Sequence, residues 1–102
     1  MTGDAGYSII NHIISEGRDP STIFCINDPI AMGAMQALLD AEIKVPEDVS
    51  IIGFNDVEAC NFTRPTLSTV YAPSFEMGEI GASVLHHMIT GDDIHYPRRI
   101  QL

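Results

Sequence analysis

The chain has 102 residues, with 14 Asp or Glu against 5 Lys or Arg and a formal net charge of -9. Hydrophobic residues at 45% and charged residues at 19% describe a globular core of single-domain size rather than a disordered tract. Arg18, Lys44, Arg64, Arg98 and Arg99 are the whole basic supply, too few and too scattered for the roughly 6–10 phosphate contacts on which DNA affinity draws, so this chain does not hold nucleic acid by itself.

Ile9, Ile10, Ile13 and Ile14 recur at helical spacing and predict a first helix, which Gly17 caps and Pro20 keeps from resuming. Thr22 to Ile26 is a short continuous apolar run, the pattern of a strand covered on both faces. It stops at Asn27-Asp28-Pro29, where Asp28 suits an N-cap and Pro29 the first helical position. A second helix is predicted from there to about Ile43, followed by a turn at Val45 to Asp48. Val49 to Phe54 reads as the second strand, ending at Asn55-Asp56, and an irregular stretch runs from Val57 to Thr66. Leu67 to Tyr71 reads as a third strand. From Ser74 a helix carries Met77, Ile80, Gly81, Val84, Leu85 and Met88 on one stripe and ends at Gly91. The tail from Ile94 to Leu102 reads as extended.

This order of elements predicts an α/β fold, a three-layer sandwich built on a mostly parallel sheet. In such open sheets ligands bind beyond the carboxyl ends of the strands. Both core strands end in the same dipeptide, Asn27-Asp28 and Asn55-Asp56. Amide donors and carboxylate acceptors at one rim suit a polyhydroxylated ligand. The same residues also serve as plain helix caps, and both readings stand at this point. The second helix adds a separate message. Ile30, Ala34, Ala37, Leu38 and Ala41 form one apolar stripe, and Met32, Met35, Leu39 and Ile43 form another. A helix apolar on two sides is buried on two sides, against either a partner subunit or the chain's own neighbouring helices.

Catalytic signatures are missing: there is no GxSxG, HExxH, GK[ST] phosphate loop or strand-following GxGxxG. His86 and His87 could gather a metal only with Asp92, Asp93 and His95. Adjacent helical positions diverge by about 100°, so a solvated helix end is the favoured reading. The chain is expected to be no enzyme and to need no cofactor. Cys25 and Cys60 have no metal spacing and read as reduced, buried thiols of a cytosolic chain. No apolar run approaches the roughly 18 residues of a membrane span, and Met1 to Gly6 has no signal-peptide character.

The runs Pro20 to Ala34 and Val45 to Asp56, then Arg64 to Val70 and the Met77-Gly78 helix, are similar in order and spacing to one family. They resemble the effector-binding domain of lactose-repressor/galactose-repressor (LacI/GalR) type transcription regulators. The resemblance implies the C-terminal lobe of a two-lobed, periplasmic-binding-protein-like domain with a ligand cleft between its lobes. Here that lobe is expected to lack its first strand and its closing residues. It also implies a cytoplasmic, dimeric repressor that touches operator DNA only through an N-terminal headpiece outside this chain.

Residue by residue, the resemblance puts Asn27, Asn55, Asp56 and Ser74 at the effector cleft, with a sugar as the implied ligand. Asn55 stands where many members carry an Asp that grips sugar hydroxyls, and Asp56 keeps a carboxylate beside it. Met1 aligns with a position where members often place an aromatic ring on the ligand. Tyr7, Met32, Met35 and the segment Ala59, Cys60, Asn61, Phe62 and Thr63 fall at the family's dimer interface. Two other readings are a lobe of a sugar-binding transport receptor, which shares the fold, and a stand-alone dimerisation module.

Overall fold

The structure is a computed structural model and describes residues 2–91 and 99–102. Its elements run α1 (Gly3–Ser15), β1 (Thr22–Phe24), α2 (Asp28–Asp40), β2 (Ser50–Asn55), a 3-10 turn (Glu58–Asn61), β3 (Ser68–Tyr71) and α3 (Ser74–Thr90). Each helix and strand expected up to Gly91 is present, with ends shifted by a few residues, while most of the tail expected to be extended from Ile94 lies outside the described residues. α2 stops at Asp40 rather than near Ile43, because Glu42 adopts a left-handed φ of 61° and the Ile43 N–H turns back to the Leu38 carbonyl. The irregular stretch before β3 contains the 3-10 turn. Asp92, Asp93 and His95, weighed and set aside as metal partners, lie outside the described residues, as does Met1.

The chain forms two compact units, Met1–Ala72 and Pro73–Leu102. In the first, β1, β2 and β3 form a sheet in that order, parallel throughout. Strand β2 is central. It pairs Ile51 with Ile23 on one side and Phe54 with Val70 on the other. The two-residue period of β2 sends Ile51 and Gly53 into the core while Ile52 faces out. Cys25, Ile51, Val49 and Leu67 meet α2 through Ala31, Ala34, Ala37 and Leu38 in one buried cluster.

Small residues also join the helices. A Cβ on Gly6 would run into the Ile30 carbonyl oxygen, and one on Gly33 would run into Gly3. The backbones of α1 and α2 therefore touch, a spacing that any side chain at these positions would prevent. The second stripe of α2 lies away from this contact. Met35 is only 4% exposed and belongs to the chain's own core, with Met32, Leu39 and Ile43 packed against its edge. Helix α1 packs instead along Ile30, Gly33 and Ala34 and brings Tyr7, Ile10, Ile13 and Ile14 to the cluster, while Met35 borders Val45, Ile51 and Leu67. Ala41, expected on the sheet-facing stripe, lies past the helix end and is exposed.

The expectation that the first strand is covered on both faces does not hold within this unit. Phe24 and Ile26 remain 63% and 62% exposed. The first unit itself thus supplies a helix layer and a sheet layer. In the second unit α3 follows Pro73, ends on Gly91 at φ 76°, and presents Met77, Ile80, Val84, Leu85 and Met88 to a hollow of about 370 Å3 that Ile100 and Leu102 help to line.

Replacing Gly6 with Ala forces α1 off α2 and should cost about 1–3 kcal/mol of stability, the usual penalty for overpacking. Urea unfolding followed by circular dichroism measures it. An unchanged midpoint would mean that the helices do not meet at this residue.

Candidate functional site

Because β1 and β2 run parallel, the segments that leave them do so at the same end of the sheet. Asn27 leaves β1 in extended conformation and caps α2, its Oδ1 accepting the Ile30 N–H at 2.9 Å. Asp28 therefore holds the first helical position and Pro29 the second, one step deeper than expected. The reason is geometric: capping needs an extended residue outside the helix, and Asn27 fills that role while Asp28 turns inward. The cap uses the amide oxygen of Asn27 only, and its NH2 group is not consumed by it.

Asp28 is the buried charge of this unit, with 0% of its surface exposed. Its Oδ1 accepts the Thr69 hydroxyl at 2.6 Å and its Oδ2 accepts the Val57 N–H at 2.8 Å. The Phe54 backbone and the Cys60 thiol also hydrogen-bond to it. Burial pushes this carboxyl up, but the donors together outweigh burial and hold it below the usual carboxylate range. Gly53 makes the room, since a Cβ there would run into Asp28 Oδ1. The Cys60 thiol is pushed up to about 11, first by burial and then by its bond to Asp28. Burial likewise raises the Cys25 thiol.

The end of β2 is strained. Asn55 has φ 106° and Asp56 φ 58°, two consecutive side-chain-bearing residues in left-handed backbone. Each such residue costs on the order of 1–3 kcal/mol and persists only where its surroundings hold it. Here the Asp56 N–H donates to Thr69 Oγ1 at 3.2 Å, and the next N–H, that of Val57, goes to Asp28. Both Asn55 and Asp56 expose their side chains. Asn27, Asn55 and Asp56 thus stand on one end of the sheet, joined underneath through Asp28 and Thr69. Ser74 opens α3 in the other unit, where it is exposed.

The residues singled out for dimerisation divide by burial. Cys60 is 2% exposed and, like Met35, belongs to the chain's own core, so these two have almost no surface to offer a partner. Cys60 is drawn inward by its bond to Asp28. Ala59 is exposed, Phe62 is 72% exposed, and Met32 and Thr63 are half-buried. Tyr7 is half-buried and donates its hydroxyl to Asp40 at 2.7 Å, a bond that raises the phenol and lowers the carboxyl. No group of three or more metal-ligating side chains occurs among the described residues. Sequence reasoning missed Thr69, Val57 and the inward turn of Asp28. A threonine within a strand carries no local signal of a partner 41 positions away.

An all-parallel sheet with helices layered on it, and a polar rim beyond its strand ends, defines a protein of the open α/β class. The chain belongs to the periplasmic binding protein-like domain family, whose description matches residues 2–102. It is 37% identical to the ribose operon repressor of Escherichia coli over 106 aligned residues, covering all of this chain and 32% of the repressor. A LacI family transcriptional regulator from Enterococcus faecalis, solved with bound ribose, superposes with a TM-score of 0.80 at 36% identity, over 88% of this chain and 33% of that one. The lac repressor dimer bound to operator and an anti-inducer superposes with a TM-score of 0.85 at 25% identity, over 91% of this chain and 32% of that one. The resemblance to LacI/GalR-type regulators is thereby confirmed. The chain spans about a third of the length of the curated relatives it matches. Among the described residues, no helix is long and apolar enough to cross a membrane.

Changing Asp28 to Asn puts an NH2 group against donors and should cost about 1–3 kcal/mol at neutral pH. The folded carboxyl titrates below its unfolded value, near 3.9. Its contribution is therefore complete above that value and is lost as pH falls through the folded pKa. The stability gap between the two proteins, followed by urea titration, should be widest near neutral pH and close on acidification. Cys25 and Cys60 should react with a disulfide reagent only after denaturant is added, because burial withholds both thiolates at neutral pH.

Proposed function

We propose that the chain is the effector-binding and dimerisation lobe of a cytoplasmic LacI/GalR-type repressor, with a ribose-like sugar as effector. The observation that carries this reading is the rim of Asn27, Asn55 and Asp56 beyond the parallel strand ends, two of these residues held in strained backbone. A sugar hydroxyl both donates and accepts, and matches an amide NH2, an amide oxygen and a carboxylate presented side by side. A regulator 36% identical to this chain has been solved with bound ribose, which supports this ligand class. With Asn55 supplying a neutral acceptor, the sugar grip leans on the Asp56 carboxylate for its stronger hydrogen bond. Operator DNA is contacted by parts of the repressor other than this acidic chain, whose five basic side chains are scattered.

The dimer surface under this reading comprises Tyr7, Met32, Ala59, Phe62 and Thr63. Phe62 supports it most strongly, as a large aromatic side chain left 72% exposed beside the buried Cys60. Aromatic anchors of this kind concentrate binding energy at interfaces. The half-buried Met32 adds apolar surface. A second copy of the chain buries both.

Two experiments test the proposal. In a nitrogen-15 NMR titration of the two-lobed effector-binding domain that carries this lobe, ribose at millimolar concentration should shift the amides of Asn27, Asn55 and Asp56. Changing Asn27 to Ser keeps the helix cap, so stability should move by less than about 0.5 kcal/mol, while the ribose response falls. A spectrum indifferent to ribose counts against the effector site. In light scattering, the chain should run as a dimer that Phe62→Asp or Met32→Asp splits. Phe62 is so exposed that its change leaves the fold intact, and a monomer before and after it removes the dimer reading.

A further inference from the structure

The buried carboxylate described above touches both halves of the proposed mechanism without itself facing ligand or partner. Asp28 Oδ1 receives the Thr69 hydroxyl, and the Thr69 oxygen in turn receives the Asp56 N–H. One carboxylate and one hydroxyl therefore hold the left-handed bend at Asn55–Asp56 from beneath. The other oxygen receives the Val57 N–H, and Val57 caps the 3-10 turn Glu58–Asn61. Cys60, inside that turn, gives its thiol hydrogen to the same carboxylate. The turn continues through its closing Phe62, whose N–H returns to the Ala59 carbonyl. The Cys60 carbonyl then accepts the Thr63 hydroxyl at 3.2 Å and the Leu67 N–H at 3.2 Å.

We propose that Asp28, acting through Thr69, is a positioning residue that holds the Asn55–Asp56 rim in its binding conformation and couples movement of that rim to the 3-10 turn and Phe62. The proposal rests on the effector reading for its ligand, but its structural half stands on the unliganded chain. A sugar that pulls on Asp56 displaces the N–H bonded to Thr69. The hydroxyl moves with it, and the carboxylate shares that movement with Val57 and Cys60. The burial of Asp28 matters here. No water can replace a donor that shifts, so the carboxylate follows its donors or leaves one of them unpaired at a cost that resists the separation. The element that carries the signal is about one turn long and contains no ligand contact of its own.

Three proteins test this: the unmodified chain, Thr69→Val and Thr69→Ser. Valine keeps the volume and removes the hydroxyl, whereas serine restores it. In the unliganded chain, backbone chemical shifts should report left-handed φ at Asn55 and Asp56, and Thr69→Val should move both out of that range while Thr69→Ser retains it. Unaltered shifts in Thr69→Val overturn the positioning role whether or not any sugar binds. With ribose added to the two-lobed effector-binding domain, the amides of Val57, Cys60 and Phe62 should shift together with those of Asn55 and Asp56 when the lobe is unmodified. In Thr69→Val the response beyond Val57 should be lost, and in Thr69→Ser it should return. A rim that responds while Val57 to Phe62 stay silent in the unmodified chain overturns the coupling. A spectrum with no response anywhere sinks the effector reading instead, leaving the positioning result to stand on the unliganded shifts. Should Thr69→Val fail to fold, amide exchange in the unmodified chain decides. Asp56 and Val57 lie between β2 and the 3-10 turn, outside any ladder, and should exchange slowly only if the bonds to Thr69 and Asp28 hold them, and free exchange at both overturns the proposal.

Discussion

All three strands of the first unit are tied to a single carboxylate. Asp28 sits at the first turn of α2, receives Thr69 from β3, and takes donors from the residues that follow β2. A charge withdrawn from water survives only when donors replace the lost hydration. That requirement organises its surroundings. Gly53 must lack a side chain so that the carboxylate fits, β3 must offer a hydroxyl, and the chain after β2 must bend so that Val57 presents its N–H. The left-handed residues Asn55 and Asp56 make that bend. The rim's conformation is therefore fixed from below, by a group that never reaches the surface.

The same economy of small residues governs the helix layer. Gly3, Gly6 and Gly33 bring two backbones together, and alanines at 31, 34 and 37 bring α2 onto the sheet. Such close contact replaces large side chains with many short-range contacts, each weak but numerous. It also leaves the bulkier Met32, Leu39 and Ile43 at the edge of the core, where they are half-buried.

Periodicity carried the element order, because apolar spacing reports which face of a helix or strand meets the core. The strand ends Asn27-Asp28 and Asn55-Asp56 were legible for the same reason: a break in the apolar run marks where the chain leaves the sheet. Two things were not legible. Which of Asn27 and Asp28 caps α2 depends on a backbone angle at one residue, and either side chain satisfies the local rule. The destination of Asp28 depends on Thr69, Val57 and Cys60, brought to it only by the parallel pairing of β2 with β3. The second stripe of α2 was ambiguous for a related cause. Apolarity records that a face is covered, not by what, and for Met35 the cover is the chain's own core beside Val45, Ile51 and Leu67.

The uncovered face of β1 bears on the chain's behaviour at high concentration. Strand β1 lies at one edge of the described sheet, with Phe24 and Ile26 open to solvent beside it. An apolar strand with free backbone groups is a template on which other chains can add as further strands. Against this stands a net charge of -9, which makes approaching molecules repel over about a Debye length. Colloidal stability then becomes a contest between one sticky edge and the repulsion of a net negative charge. Dissolved salt sets the balance, since it shortens the field while leaving the edge unchanged.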